Sequence, residues 1–279
     1  MLIKKNDKVD TLRMKIIFTI LLISLTAITY GQASKEQSFD VVDFNKKREI
    51  AEWLYQYDMI AWQTSDSVLA QNKKDLERLG GEWFCLEKNG IWHAIYGKYQ
   101  NNIFDLVFHF KIDSTGKVRK TTETIDTALT HRYSRALQSA GAQMKKKYNE
   151  GFNLKFNQYI RENADQTISV WILPAFQPNH TAVYGGEFSY TFDASGTKIL
   201  KDDSYFMGQF KGFKVDKPRE IGLEYPEADK PTLGAIFFAW YYKSYFTKII
   251  IEDSQNISLL LKSENGWDWI HGSKEAQSE

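Results

Sequence analysis

His180, Tyr184 and Glu187 fall within eight residues of one another, in a stretch punctuated by Pro174, Pro178, Asn179 and Gly185-Gly186, and Asp202 and Asp203 follow shortly after. An imidazole, a phenol and carboxylates together cover the pKa range that proton transfer uses. The Pro and Gly content marks an irregular connection, where side chains are free to converge. His180, Tyr184, Glu187 and Asp202, or Asp203 in its place, therefore form the candidate acid/base set for a hydrolase-type reaction. The competing reading is an ordinary loop in which Gly-Gly relieves backbone strain and Glu187 is solvated.

Two more histidines can be tested by parity. With Asn101-Asn102 as a two-residue turn, facing residues on the flanking strands have numbers that sum to 203. His93 then faces Phe110, His109 faces Ala94, and the two imidazoles lie on opposite sides of the sheet. On that register they cannot share a metal, and no metal site is expected. A one-residue bulge would change the sum and bring them together.

Aromatic residues offer a different chemistry. The chain carries 8 Trp, 15 Tyr and 18 Phe, and exposed Trp and Tyr rings stack on sugar faces and anchor protein interfaces. Trp240-Tyr241-Tyr242 with Tyr245-Phe246, and Trp267 with Trp269, are the places where such rings cluster. Trp240, Tyr242, Trp267 and Trp269 are accordingly the candidate ligand-binding residues, with core packing as the alternative use of the same rings.

No mechanism-bearing motif accompanies these residues. The sequence contains no G-x-x-x-x-G-K-[ST], G-x-G-x-x-G, H-E-x-x-H or G-x-S-x-G pattern, so the motif-defined enzyme classes are not signalled and no cofactor is expected. Ser114-Thr115-Gly116-Lys117 lacks the upstream glycine of a phosphate loop and lies in a turn between strands. Cys85 is the single cysteine, which rules out an internal disulfide, and it reads as a small buried hydrophobe.

The elements that must position these residues are of both kinds. Phe44, Ile50, Ala51, Leu54, Tyr57 and Ala61 recur at helical spacing after Asp43, and Thr64-Ser65-Asp66 is expected to interrupt that helix. A second helix capped by Ser65 or Ser67, bearing Val68, Leu69, Leu76 and Leu79 and stopping at Gly80-Gly81, completes a helical hairpin. Residues 82–88, 91–100 and 103–112 follow as a three-stranded meander turning at Asn89-Gly90 and Asn101-Asn102. The longest helix is predicted from Ile125 to Tyr148, starting at Thr122 or Thr124 and ending at Gly151. Beyond it, strands are expected over 157–162, 167–173, 187–192, 197–200 and 205–210. Residues 233–246 are apolar or aromatic nearly throughout, and strand and helix are not separated there by pattern. Residues 256–262 and 267–270 read as a closing hairpin turning at Asn265-Gly266. The fold class expected is α+β: an N-terminal helical hairpin, antiparallel meanders forming a central sheet, and one long helix packed on it.

The N-terminus reads as an address. Lys15 is followed by apolar or small residues from Ile16 to Ile28 and then by Thr29-Tyr30-Gly31. That pattern is expected of a cleavable export leader, too short for a permanent membrane span. Met14 makes the better start, because residues 1–13 would give a long, partly acidic n-region. With 1–31 as leader, residues 32–279 form one α+β domain, or two halves meeting near residue 150. Removing the five basic and two acidic side chains of residues 1–31 leaves 31 Lys+Arg against 33 Asp+Glu. That near-neutral balance offers nothing to a phosphate backbone, and nucleic acid is excluded as a partner.

Trp171-Ile172-Leu173-Pro174, Gly185-Gly186-Glu187-Phe188, Asp193-Ala194-Ser195-Gly196 and Pro231-Thr232 together resemble a pattern of uncharacterised exported bacterial proteins, over roughly residues 90–270. The resemblance implies an exported bacterial α+β domain and brings no activity, cofactor or catalytic residue. The functional expectation is a soluble periplasmic or extracellular protein that binds a small molecule, a glycan or an envelope protein without catalysis. A small hydrolase around His180 to Glu187 and a structural component of the envelope are the alternatives.

Overall fold

The computed structural model describes residues 39–148 and 153–274, so the expected leader and the Gly151 stop lie outside the described residues. Helix α1 spans Val41–Leu69 without a break. The expected hairpin is therefore a single helix, and its hydroxyls explain why. Thr64 Oγ1 donates to the Ile60 carbonyl at 2.8 Å and Ser65 Oγ to that of Ala61 at 2.7 Å. The polar cluster is thus satisfied on the helix itself and does not break it. Its N-cap is Asp40, whose carboxylate accepts from the Asp43 amide at 3.0 Å. Asp43 itself lies in the first turn and pairs with Lys47 at 2.7 Å. What remains of the second helix is the single turn α2, Lys73–Leu76.

Strands β1 (Glu82–Lys88), β2 (Ile91–Gln100), β3 (Ile103–Ile112) and the short β4 (Val118–Lys120) form the first sheet in chain order, all antiparallel. Both hairpin turns have positive φ at the two central residues, 54° and 73° at Asn89-Gly90 and 52° and 61° at Asn101-Asn102. This is the conformation that matches the twist of the flanking strands. Helix α3 (Thr127–Lys147) begins three to five residues later than expected, because Asp126 is the cap, accepting from the Ala128 amide at 2.8 Å. The residues before it still run beside β3, with the Thr121 amide on the His109 carbonyl at 2.9 Å. The first sheet is covered on both faces: Trp53 and Tyr57 of α1 meet Trp92 and Trp83 on one, and Tyr133 of α3 meets Phe84 on the other.

The second sheet contains β5 (Phe156–Glu162), β6 (Ile168–Pro174) and β7 (Thr181–Phe192), with β8 (Ile199–Asp202) and β9 (Tyr205–Lys214) both paired to β7. The stretch read as an irregular connection up to Gly186 is thus largely strand. Gly185, with φ 107°, forms a bulge in it.

Residues 233–246 resolve as helix α4 (Leu233–Tyr242), capped by Thr232 Oγ1 on the Ala235 amide at 3.1 Å, followed by a 3₁₀ turn at Lys243–Tyr245. The helix is a crossover. It links β10 (Glu220–Tyr225) to β11 (Lys248–Asp253), which pair in parallel and continue antiparallel into β12 (Asn256–Ser263) and β13 (Gly266–Ser273). The architecture is α+β with predominantly antiparallel pairing, as expected, but it is distributed over three sheets and includes a parallel pair in place of one central antiparallel sheet. The last turn is Glu264-Asn265, one residue before the expected Asn265-Gly266, since Gly266 already pairs with Ser263. Among the described residues no helix is long and apolar enough to cross a membrane.

Candidate functional site

The structure separates the residues of the expected acid/base set. His180 is exposed and precedes β7, whereas Glu187 is buried in the middle of that strand. Seven residues at about 3.3 Å each put them roughly 20 Å apart. Tyr184 is buried, stacked on Phe213 at 5.6 Å and against Phe238 at 5.7 Å. Asp202 is held by Lys147 at 2.6 Å. The bulge at Gly185 turns Tyr184 and Glu187 to one side of the sheet, against α4, where the Glu187 carboxylate accepts from the Gly234 amide. Burial raises the Glu187 carboxyl to about 7, outweighing the helix-terminal hydrogen bonds that favour its charged form. The phenol and the carboxylate therefore serve the docking of a helix.

His93 and His109 do meet. The pairing sum is 203 from Gln100↔Ile103 to Gly97↔Leu106 but 204 from Tyr96↔Phe108 onward, leaving Val107 unpaired. That bulge puts both imidazoles on one face, with His93 Nδ1 2.8 Å from His109 Nε2. His109 Nδ1 faces the Glu123 carbonyl at 3.2 Å, and a carbonyl only accepts, so Nδ1 carries the proton. His109 Nε2 is then the acceptor and His93 Nδ1 the donor. Burial, with His109 next, lowers His93 to about 4, keeping it neutral. No cluster of three or more His, Cys, Asp or Glu with metal-holding geometry is found among the described residues.

Of the four aromatic candidates, Tyr242 is buried beside Phe238 and Trp240 is covered by the Lys243 ammonium, 3.0 Å from the ring centre. Trp267 is partly buried against the core, and Trp269 packs edge-on against Phe44 at 5.0 Å. Their sequence neighbours line an open groove of about 380 Å³ instead: Tyr241, Ser244 and Tyr245 from α4 and its 3₁₀ turn, Phe176, and Tyr55, Met59, Trp62 and Gln63 from α1. Trp62 is 65% exposed and Tyr245 41% exposed, and Phe176 lies nearly parallel to Tyr245 at 6.1 Å. The signal on α1 was the spacing of Tyr55, Met59 and Trp62 at i, i+4 and i+7, a second stripe beside the core stripe.

Beneath this groove lies Asp58, 2% exposed. Its carboxylate accepts from Asn157 Nδ2 at 2.8 Å, Tyr159 Oη at 3.2 Å and Tyr241 Oη at 2.7 Å. Burial raises the Asp58 carboxyl and the three donors oppose the rise; burial, with Asp58 next, raises the Tyr241 phenol.

No protein-family model, curated protein or solved structure matches this chain.

The eight lining side chains of the groove include no charged group, and the Lys243 ammonium lies 5.9 Å from the Tyr55 ring centre. Such a surface stacks on apolar faces and hydrogen-bonds through neutral groups, Gln63, Ser244 and the tyrosine hydroxyls.

Proposed function

We propose that the protein is an exported, non-catalytic binding module that takes a glycan in the groove between α1 and the end of α4. The reading is carried by one observation: Trp62 and Tyr245 stay substantially exposed at the mouth of a concave, uncharged, aromatic-walled groove. Sugars present apolar C–H faces to rings and hydroxyls to neutral polar groups, which is the complement of this lining. A cationic ligand fits less well, because the Lys243 ammonium stands beside the Tyr55 wall. Export is the part contributed by Met14 to Gly31.

Isothermal titration of the protein lacking residues 1–31 against envelope polysaccharides and oligosaccharides tests the reading. Binding of at least one is expected, weakened about tenfold or more by Trp62→Ala or Tyr245→Ala. Absence of heat with every saccharide, or binding that both substitutions leave intact, overturns it. Material from the native host should begin at Gln32 or Ala33 on N-terminal sequencing; a retained Ile16–Ile28 segment would contradict the export component.

A further inference from the structure

Tyr241 differs from the other polar groups of the groove in having its proton committed. A phenol hydroxyl carries one hydrogen and two lone pairs, while an ionised carboxylate has no hydrogen to give. Asn157 Nδ2 and Tyr159 Oη both donate to Asp58 Oδ1, and Oδ2 is left for Tyr241 at 2.7 Å. The Tyr241 ring is also fixed, with Tyr55 edge-on at 5.7 Å, Phe237 at 5.4 Å and Tyr242 at 4.8 Å. Gln63 and Ser244 can each serve as donor or acceptor. At Tyr241 the polarity is set from behind.

We infer that Tyr241 is a specificity-determining hydrogen-bond acceptor of the groove, oriented by Asp58, and that the ligand must offer it a free hydroxyl. This rests on the groove being the binding site, and it narrows the glycan to one whose hydroxyl at that subsite is unsubstituted. A sugar methylated or acylated there has no proton for Tyr241 and is discriminated against. Asp58 is a positioning residue, acting through the phenol without touching ligand. Its amide replacement makes the role plain: in Asp58→Asn, Oδ1 must remain an oxygen for Asn157 and Tyr159, so the new NH₂ faces Tyr241 and donates to it. The phenol proton is then released toward the groove, and the acceptor becomes a donor.

The test uses two small probes of similar size, 2-phenylethanol, which carries a hydroxyl donor, and 2-phenylethyl fluoride, which has none. Titrations are followed by the indole Nε1–H resonance of Trp62 in the wild type, Tyr241→Phe and Asp58→Asn. The wild-type preference for the alcohol should exceed that of Tyr241→Phe by about fivefold, the factor expected of one net hydrogen bond. Asp58→Asn should lower the preference as well, which a merely structural role for Asp58 would not do. Should Asp58→Asn fail to fold, the comparison of wild type with Tyr241→Phe decides. Equal preferences in those two proteins, or no response of Trp62 to either probe, overturn the inference. The two proposals fail separately: an alcohol preference without saccharide binding sinks the glycan reading alone, and saccharide binding without the preference sinks the acceptor role alone.

Discussion

Glu187→Gln should remove a pH dependence whose sign is opposite to that of His93 and His271. In the folded protein the Glu187 carboxyl is raised to about 7 against an ordinary 4.5. The folded state therefore binds this proton more tightly than the unfolded state does. The associated stability is present in full below about pH 4.5 and is lost as the pH rises through about 7. At about 1.4 kcal/mol for each tenfold change in proton affinity, the full loss approaches about 3.5 kcal/mol. Two effects compete here: the N-terminus of α4 and the Gly234 amide favour the carboxylate, by about 1–2 kcal/mol for such a terminus, and burial disfavours it by more. His93 and His271, both lowered to about 4 mainly by burial, work the other way. Their contribution is present above about pH 6.5 and is lost as the pH falls toward 4. Because wild type and variant share both histidines, the difference between the two proteins isolates Glu187. Urea unfolding at intervals from pH 4 to 8 should show the wild type losing about 3 kcal/mol relative to Glu187→Gln across the window. A difference that does not vary with pH refutes the reasoning, and one that favours the wild type at higher pH would mean that the helix terminus, not burial, wins.

Two glycines with nearly the same backbone angle make a matched pair. Gly116 (φ 77°) has open space where a Cβ would go, whereas Gly196 (φ 71°) faces the Arg132 backbone, with its carbonyl carbon 3.1 Å from that position. Gly116→Ala should cost about 1–2 kcal/mol in chemical denaturation and Gly196→Ala about 2 kcal/mol more from overpacking; equal costs would count against the docking of that turn on α3. Gly234→Ala would drive a methyl into the Glu187 side chain, whose Cβ and Cδ lie 3.0 and 3.2 Å from the new atom, and thermal unfolding should show a loss of about 1–3 kcal/mol. Long-range ¹⁵N–¹H correlation at neutral pH should find both His93 and His109 protonated at Nδ1, and an Nε2–H form of His109 would contradict the hydrogen-bond chain to Glu123. Asp126→Ala should destabilise by about 1 kcal/mol in urea if Asp126 is the cap of α3.

Local chemistry made much of the fold legible. Asn89-Gly90 and Asn101-Asn102 announced their turns by composition, and the three strands between residues 82 and 112 have the limits that alternation implied. What escaped was set by distant partners. The Thr64-Ser65-Asp66 cluster reads as a stop only until its hydroxyls are seen bonding backward to Ile60 and Ala61. Strand β10 pairs in parallel with a strand beyond α4, and a six-residue alternation gives no hint of a partner across a helical crossover. The groove was half legible. Its rings lie at Tyr241, between Trp240 and Tyr242, at Tyr245 three residues on, at Phe176 and across on α1, because the packing of α4 sends Tyr242 inward and leaves Tyr241 and Tyr245 at the wall.

The His93–His109 contact depends on Val107 staying out of the ladder. Taking Val107 into the ladder would put His93 opposite Phe110 and carry the two rings to opposite faces, whereas deleting it would leave Tyr96 opposite Phe108 and His93 opposite Lys111, with the rings still together. The proximity of the pair is therefore encoded by where one surplus residue is stored, and a reading-frame-preserving deletion of its codon would abolish the bulge while leaving the two imidazoles in contact.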